Sequence, residues 1–323
     1  MSNVINRQIF EKLHGATRPL FIADERIDGD CLGSALAMVD YMKTQGKEVP
    51  VLLSAPVPDK YSILPHTENC TDDQEILLQE IDLIVTFDCS DEDYVNQYID
   101  QMPRRPFVIN IDHHATNSNY GNINHVVTTS PATADVIYHF FKTNTIIPSS
   151  EASTCLLAGV VYDTNIFSNE GTNAQAFETS SDLVLHGARV RDVVKMMFSN
   201  RSIDVLRLWG IALERLQMHP KHGFVITCLT CKDIESHDIR HEEIGGLTNC
   251  LNLITDTDTL FVLCETPDGG VNVSMRSMKY DVAKFARVFG GGGHVKAAGF
   301  TLPETKLVVS DDGSWKVEHK ELV

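Results

Sequence analysis

The sequence has no uninterrupted apolar run of about 18 residues, the length a membrane-crossing helix needs, so no helical span is expected. Its opening residues, MSNVINRQIFEKLHG, lack the basic-then-apolar layout of a secretory signal. Eight cysteines are present but without framework spacing, which argues against a disulfide scaffold and for a reduced, cytoplasmic chain. Positive charge is also scarce. Lys and Arg number 27 against 44 Asp and Glu, a net charge of −17. Such a surface repels a polyanion, so a long nucleic-acid duplex held on a broad basic face is not expected. A small anionic substrate reached through a local positive site, or a bound metal, fits better. With 43% apolar and 22% charged residues, the composition excludes wholesale disorder, collagen and coiled coil. At 323 residues the chain is long enough for two domains and a sizeable core.

The first half alternates between strand-length apolar runs and helical periodicity. RPLFIAD (18–24), EVPVLL (48–53), IDLIVTFD (81–88) and PFVINID (106–112) read as strands. Residues 6–14, 31–46, 73–80, 92–102 and 131–143 read as helices. This alternation predicts an α/β domain with a doubly wound, mainly parallel sheet. From 149 to about 216 the pattern is helical, and after His219 strand-like runs return around a helical 242–254. The expected division is a first domain over 1–190, a helical connector over 191–218, and a smaller α/β domain with a mixed sheet over 219–323. The last twenty residues read as a hairpin turning at Asp311-Asp312-Gly313.

Acidic and imidazole side chains gather where strands end. The first strand runs into Asp24 and then Asp28-Gly29-Asp30; a later one ends on Asp88; another ends on Asp112-His113-His114, with Asn117 three residues beyond. Asp163 closes the apolar segment LLAGVVYD. In a doubly wound sheet the carboxyl ends of the strands share one rim, where ligands bind. That many close carboxylates repel unless cations separate them, and a mixed oxygen and nitrogen set suits Mn²⁺ or Mg²⁺, with Zn²⁺ and Fe²⁺ as further candidates. Taken singly, an Asp after a strand is a turn former or a helix cap, and Asp28-Gly29-Asp30 is a turn. Their conjunction in one α/β domain points to a metal site.

The order D-x-D, D, D-H-H-x-x-N, D resembles the DHH phosphoesterase superfamily. GGGGHVKAAG (290–299) resembles the glycine-rich GGGH signature of the DHH-associated C-terminal domain, and Ser274-Met275-Arg276-Ser277 its S-x-R-S strand. The likeness spans roughly 15–302 and is closest to the oligoribonuclease and pAp phosphatase branch. It implies two divalent ions, Mn²⁺ foremost with Mg²⁺ as the alternative. One would take Asp28 and Asp88 with a third ligand at position 24; the other would take Asp30, His113 and Asp163, with Asp88 bridging. His114 would face the substrate phosphate and Asp112 would orient a histidine. The chain departs from the branch at Asp24, where the branch carries His.

The glycine run has its own logic, since glycines let a backbone approach an anion closely and offer it N–H groups. Between 276 and 296 lie Arg276, Lys279, Lys284, Arg287 and Lys296 against one acid, Asp281. This local reversal marks Arg276, Gly291, Gly292, Gly293 and His294 as a phosphate pocket. Cys228-Leu-Thr-Cys231 has no second pair and reads as strand rather than zinc site. The resemblance implies a metal-dependent hydrolase that cuts short single-stranded RNA or linear dinucleotides to nucleoside monophosphates, with pAp as a second target. Homodimerisation stays open. The rivals are a pyrophosphatase or exopolyphosphatase, and a catalytically impaired nucleotide-binding protein.

Overall fold

The computed structural model describes residues 2–198, 202–219, 221–237, 239, 244, 246–254, 257–310 and 313–319. Their contacts divide the chain into two units, Met1–Asn200 and Arg201–Val323.

The first unit runs α1 (Ser2–Gly15), β1 (Pro19–Ala23), α2 (Gly29–Thr44), β2 (Val51–Leu52), β3 (Cys70–Thr71), β4 (Leu83–Phe87), α3 (Glu92–Ile99), β5 (Phe107–Asp112), β6 (Ile123–Val126), α4 (Thr133–Thr143), α5 (Ser150–Asp163), α6 (Ala174–Leu185) and α7 (Val190–Phe198). The sheet order is β3-β2-β1-β4-β5-β6, and every pairing is parallel. Both faces are covered, which is why the strands read as unbroken apolar runs. In β1, Phe21 and Ala23 join the core under α1, α2, α4 and α5, whereas Leu20 and Ile22 join the one under α3. The order reverses between β1 and β4, so the loops leaving those two strands open a crevice at the carboxyl rim.

Two sequence expectations shrink. The strand over 48–53 is only Val51–Leu52, and the helix over 73–80 is a short 3₁₀ turn, Gln74–Leu78, capped by Asp73. Five residues are too few to repay α-helix nucleation, even with Leu77 buried beneath them. β3 and β6 went unseen because two residues, or an Ile-Asn-His-Val stretch, carry no period-two signal.

Helices α2 and α5 pack antiparallel and closely. Gly29 meets Tyr162, Gly33 meets Cys155 and Asp30 meets Gly159, while Ser149 Oγ donates to Asp40 Oδ2 at 2.8 Å. The glycines are required there: a Cβ on Gly159 would lie 2.6 Å from both Ala134 Cβ and Asp30 Oδ1.

The second unit comprises α8 (Ile203–Glu214), β7 (Gln217–Met218), β8 (Val225–Leu229), α9 (Cys231–Glu235), α10 (Leu247–Ile254), β9 (Thr259–Glu265), β10 (Gly270–Ser277), α11 (Val282–Val288), β11 (Gly292–His294), β12 (Ala297–Pro303), β13 (Thr305–Val309) and β14 (Trp315–His319). Its sheet, β11-β12-β10-β9-β8-β7, is mixed, with β8 and β9 parallel and the other pairs antiparallel. One face packs on α11, and the other on α8 and α10. Cys228 sits in β8 and Cys231 opens α9, where its amide donates to Glu265 Oε2 at 2.8 Å. The hairpin expected at the end is β13 with β14, although Asp311 and Asp312 at its turn lie outside the described residues. The same holds for 242, 243, 245 and Asp256 within or beside the helix expected over 242–254.

Candidate metal centre

Three strand ends and two helices of the first unit deliver its acidic and imidazole groups to the crevice. Asp28 follows β1 and caps α2, accepting from the Asp30 and Cys31 amides at 2.9 and 3.0 Å. Asp30, in the first turn of α2, is fully buried and accepts from the amides of Thr133 (2.6 Å) and Ala134 (2.8 Å). Those amides open α4, whose N-cap Ala132 has no side chain to satisfy them. Asp88 leaves β4 with φ +62°, a left-handed conformation uncommon outside glycine and a form of strain found at functional sites. Its Oδ1 accepts from Thr133 Oγ1 at 2.8 Å.

His113 and His114 follow β5. Asp112, itself fully buried, accepts from both of their amides and from His114 Nδ1 at 2.9 Å, and its other oxygen accepts from Asn117 Nδ2 at 2.6 Å. His113 Nδ1 lies 3.2 Å from the Ser130 carbonyl, to which it donates, which leaves Nε2 as the nitrogen with a lone pair. That Nε2 is buried, stands 3.0 Å from Asp163 Oδ2 and 3.5 Å from Asp88 Oδ1, and makes no hydrogen bond. A buried imidazole nitrogen facing several carboxylate oxygens is a donor set arranged for a cation.

Two groups of ligand atoms converge within 4.8 Å of one another here, Asp30–His113–Asp163 and Asp88–His113–His114. Asp28 stands beside them as the helix cap. Asp24 belongs to neither group; its Oδ1 accepts from the Arg26 amide at 2.9 Å.

The electrostatics carry the same message. Burial, then the Asp88 and Asp163 charges, push Asp30 well above the usual carboxylate range. Burial and then Asp88 lift Asp28 to about 7, and burial raises Asp88. Burial opposes a charge on His113, but Asp163, Asp30 and Asp88 outweigh it and carry that ring to about 10. Hydrogen bonds to Asp112 and Asp88 carry His114 to about 11. Without a cation the cluster holds protons in its place.

Residues 20–160 match the DHH family N-terminal domain, and residues 223–310 match the DHHA1 domain. The chain carries a DHH domain followed by a DHHA1 domain. It is 28% identical over 299 residues to the bifunctional oligoribonuclease and PAP phosphatase NrnA of Thermus thermophilus, covering 92% of this chain and 88% of that protein. A probable NrnA of Streptococcus mutans is 24% identical over 64% of this chain and 66% of its own length. Among solved structures, an exopolyphosphatase-related protein of Bacteroides fragilis superposes with a TM-score of 0.83 at 21% identity, covering 92% of this chain and 90% of that one. That likeness speaks for the fold. DHH phosphoesterases use divalent metals, and the donor set around His113 Nε2 suits them.

In the DHHA1 unit, the expected phosphate residues lie on neighbouring strands. Arg276 on β10 pairs with Ala297 on β12, and Ala297 pairs with His294 on β11, so all three share one row across the sheet. The side chain of His294 lies outside the described residues. Burial pulls the Arg276 guanidinium down from its usual range, and its Nη1 donates to the Met275 carbonyl at 2.8 Å. The glycine run forms an edge strand rather than an open loop. Gly293 has φ +135°, and a Cβ there would lie 2.5 Å from the Ala297 carbonyl, so part of the run answers to close strand packing.

Sequence reasoning missed Thr133, the Ala134 amide and the Ser130 carbonyl. Two of these act through backbone atoms and leave no mark in side-chain chemistry. The one available signal was Pro131 followed by a helical pattern, which places free amides at a helix start.

Proposed function

We propose that this DHH-family phosphoesterase hydrolyses short RNA oligonucleotides or linear dinucleotides to nucleoside monophosphates, with conversion of pAp to AMP as a second activity. The observation that carries this reading is the orphaned His113 Nε2 among the carboxylates of Asp30, Asp88 and Asp163 at the sheet's switch point. The extended likeness to proteins named oligoribonuclease and PAP phosphatase supplies the substrate class.

In this reading the metal-binding domain is 1–190, followed by a helical connector over 191–218 and a substrate-binding domain over 219–323. Asp30, His113 and Asp163 would hold one ion and Asp28 and Asp88 with Asp24 the other, Asp88 being shared; Mn²⁺ would be the metal, with Mg²⁺ the alternative. When bound, the ions would supply Lewis-acid stabilisation of phosphoryl charge and a more acidic attacking water. The chain's own groups do the rest. Asp112 fixes the His114 ring through Nδ1, which leaves Nε2 to meet a phosphoryl oxygen. Arg276, with the run from Gly291 to His294, is assigned to the substrate's other phosphate. A terminal phosphate gripped in this way explains how a chain of net charge −17 handles RNA.

The test is turnover of 5′-labelled RNA from the dinucleotide upward, of pAp and of pyrophosphate, each under Mn²⁺ and Mg²⁺. Cleavage of dinucleotides and pAp supports the proposal. Turnover of pyrophosphate alone would assign a pyrophosphatase, and binding without turnover an impaired nucleotide-binding protein. Asp88→Ala should abolish hydrolysis and loosen both ions; retention of about a tenth of the activity would remove the bridging role.

A further inference from the structure

The α2–α5 pair carries a second constellation at its other end. The start of α2 and the end of α5 supply Asp28, Asp30 and Asp163 to the metal centre. Asp40, ten residues after Asp30, stands about 15 Å from it along α2, and Glu151, in the first turn of α5, about 18 Å from Asp163, at 1.5 Å per residue. His66 joins them from the residue before the 3₁₀ turn Thr67–Asn69, held in a left-handed conformation with φ +67°. Its ring is only 10% exposed, and its Nε2 lies 2.9 Å from Asp40 Oδ1 and 3.1 Å from Glu151 Oε2.

The donor set is an imidazole nitrogen and two carboxylates from three separate elements, all within 4.8 Å of one another, the same chemistry as Asp30–His113–Asp163. Groups around it complete the arrangement. Ser149 Oγ donates to the second oxygen of Asp40 at 2.8 Å, fixing that carboxylate. Glu68 Oε1 stands 3.6 Å from His66 Nδ1, beyond hydrogen-bond range. Lys43 Nζ donates to His66 Nδ1 and to Glu68 Oε1, 3.2 Å from each, so without an ion the ring's proton sits on Nε2 between Asp40 and Glu151. Three carboxylates (Asp40, Glu68, Glu151) and one ammonium (Lys43) give a formal −3 + 1 = −2 around the ring. A divalent cation matches that formal charge.

We propose that Asp40, His66 and Glu151 bind one divalent cation of the Zn²⁺ class, outside the catalytic centre, which fastens the far end of the α2–α5 pair. Imidazole with carboxylate oxygen favours Zn²⁺ over Mn²⁺ or Mg²⁺, and water completes a four-coordinate site. On binding, the ring's proton moves from Nε2 to Nδ1, Lys43 Nζ gives up its bond to Nδ1 while keeping Glu68, and the freed Nε2 lone pair meets the ion.

The experiment is Zn²⁺ binding by the full chain, counted by equilibrium dialysis with elemental analysis, for the wild type, His66→Gln and Glu151→Gln. Each variant should bind one equivalent fewer than the wild type while keeping the ions at Asp30, Asp88 and His113. Glu151 is half-exposed on a helix surface, so Glu151→Gln decides the matter even where His66→Gln fails to fold. Crystals soaked in Zn²⁺ should show an anomalous peak between His66 Nε2 and the two carboxylates. Equal stoichiometry in all three proteins, or no peak there, would overturn the proposal and leave a hydrogen-bonded ion triad. Loss of phosphoesterase turnover would not touch it, because the readout is ion count.

Discussion

Removing divalent ions should make the first unit less stable as pH rises from 5 to 8, the reverse of the usual acid-side loss. Asp28 is carried from an ordinary 3.8 to about 7, principally by burial and then by Asp88, and Asp30 and Asp88 move the same way. A carboxyl raised on folding contributes stability below its unfolded value that is lost as pH climbs through its folded value. His113 at about 10 and His114 at about 11 are raised too, so their contribution is present below about 6.5 and is lost further up. All five shifts therefore share one sign. The folded, metal-free cluster binds more protons than the unfolded chain. For Asp28 the span of about three units corresponds to roughly 4 kcal/mol, or about 2 kcal/mol after allowing for the solvent that reaches it. The neighbours do not add in full, because protonating one carboxyl relieves the others. Asp112 runs opposite, held below the usual range against its own burial by His114 and Asn117, but it acts below about pH 4 and leaves this window clear.

The assay should follow the right unit. Both tryptophans, Trp209 and Trp315, lie in Arg201–Val323, so their fluorescence is blind to the effect. Hydrogen exchange at the Thr133 and Ala134 amides, which donate to Asp30, reads the cluster directly. With chelator, protection there should fall by about 2 kcal/mol or more between pH 5 and 8, and saturating Mn²⁺ should abolish that slope. A chelated protein as protected at pH 8 as at pH 5 would show that the carboxylates ionise together without a cation, and the centre would not be a metal site.

Gly159→Ala should destabilise the first unit by about 1–3 kcal/mol and weaken metal binding together, because the added methyl meets Asp30 Oδ1 and Ala134 Cβ; thermal melts with and without Mn²⁺ check both. Arg276→Ala should raise KM or slow turnover with metal content unchanged, and loss of metal in this variant would contradict its assignment to phosphate. Asp24→His should keep or raise activity and lower the alkaline limb of the pH–rate profile, since it removes a negative charge; Asp24→Ala should lower activity by loosening one ion. Unchanged rate and metal content in Asp24→Ala would leave Asp24 as the turn former that its bond to the Arg26 amide describes.

The difference between what the sequence made legible and what it hid follows from which atoms carry the signal. Asp28, Asp30, Asp88, His113 and Asp163 were readable because each sits where an apolar segment ends or a helix begins, and those boundaries are local patterns. Asp112 was readable as an orienting group only through the resemblance, and the structure supplies its reason in three bonds to His113 and His114. The β11 run shows the opposite case: four glycines suggest an approaching anion, yet Gly293 is also demanded by the Ala297 carbonyl, a contact no local pattern reports. His66 meets Asp40 and Glu151 only because α2 and α5 are antiparallel, and that relation is set by Gly33 and Gly159 deep in their interface. Asp30 connects the two kinds of information. Its carboxylate was visible as a candidate ligand, but both its oxygens also hold the first amides of α4, so one side chain ties the metal centre to the packing of α2, α4 and α5. Substitution at Asp30 should therefore cost stability even in chelator, where substitution at Asp163, bound to no helix start, relieves charge.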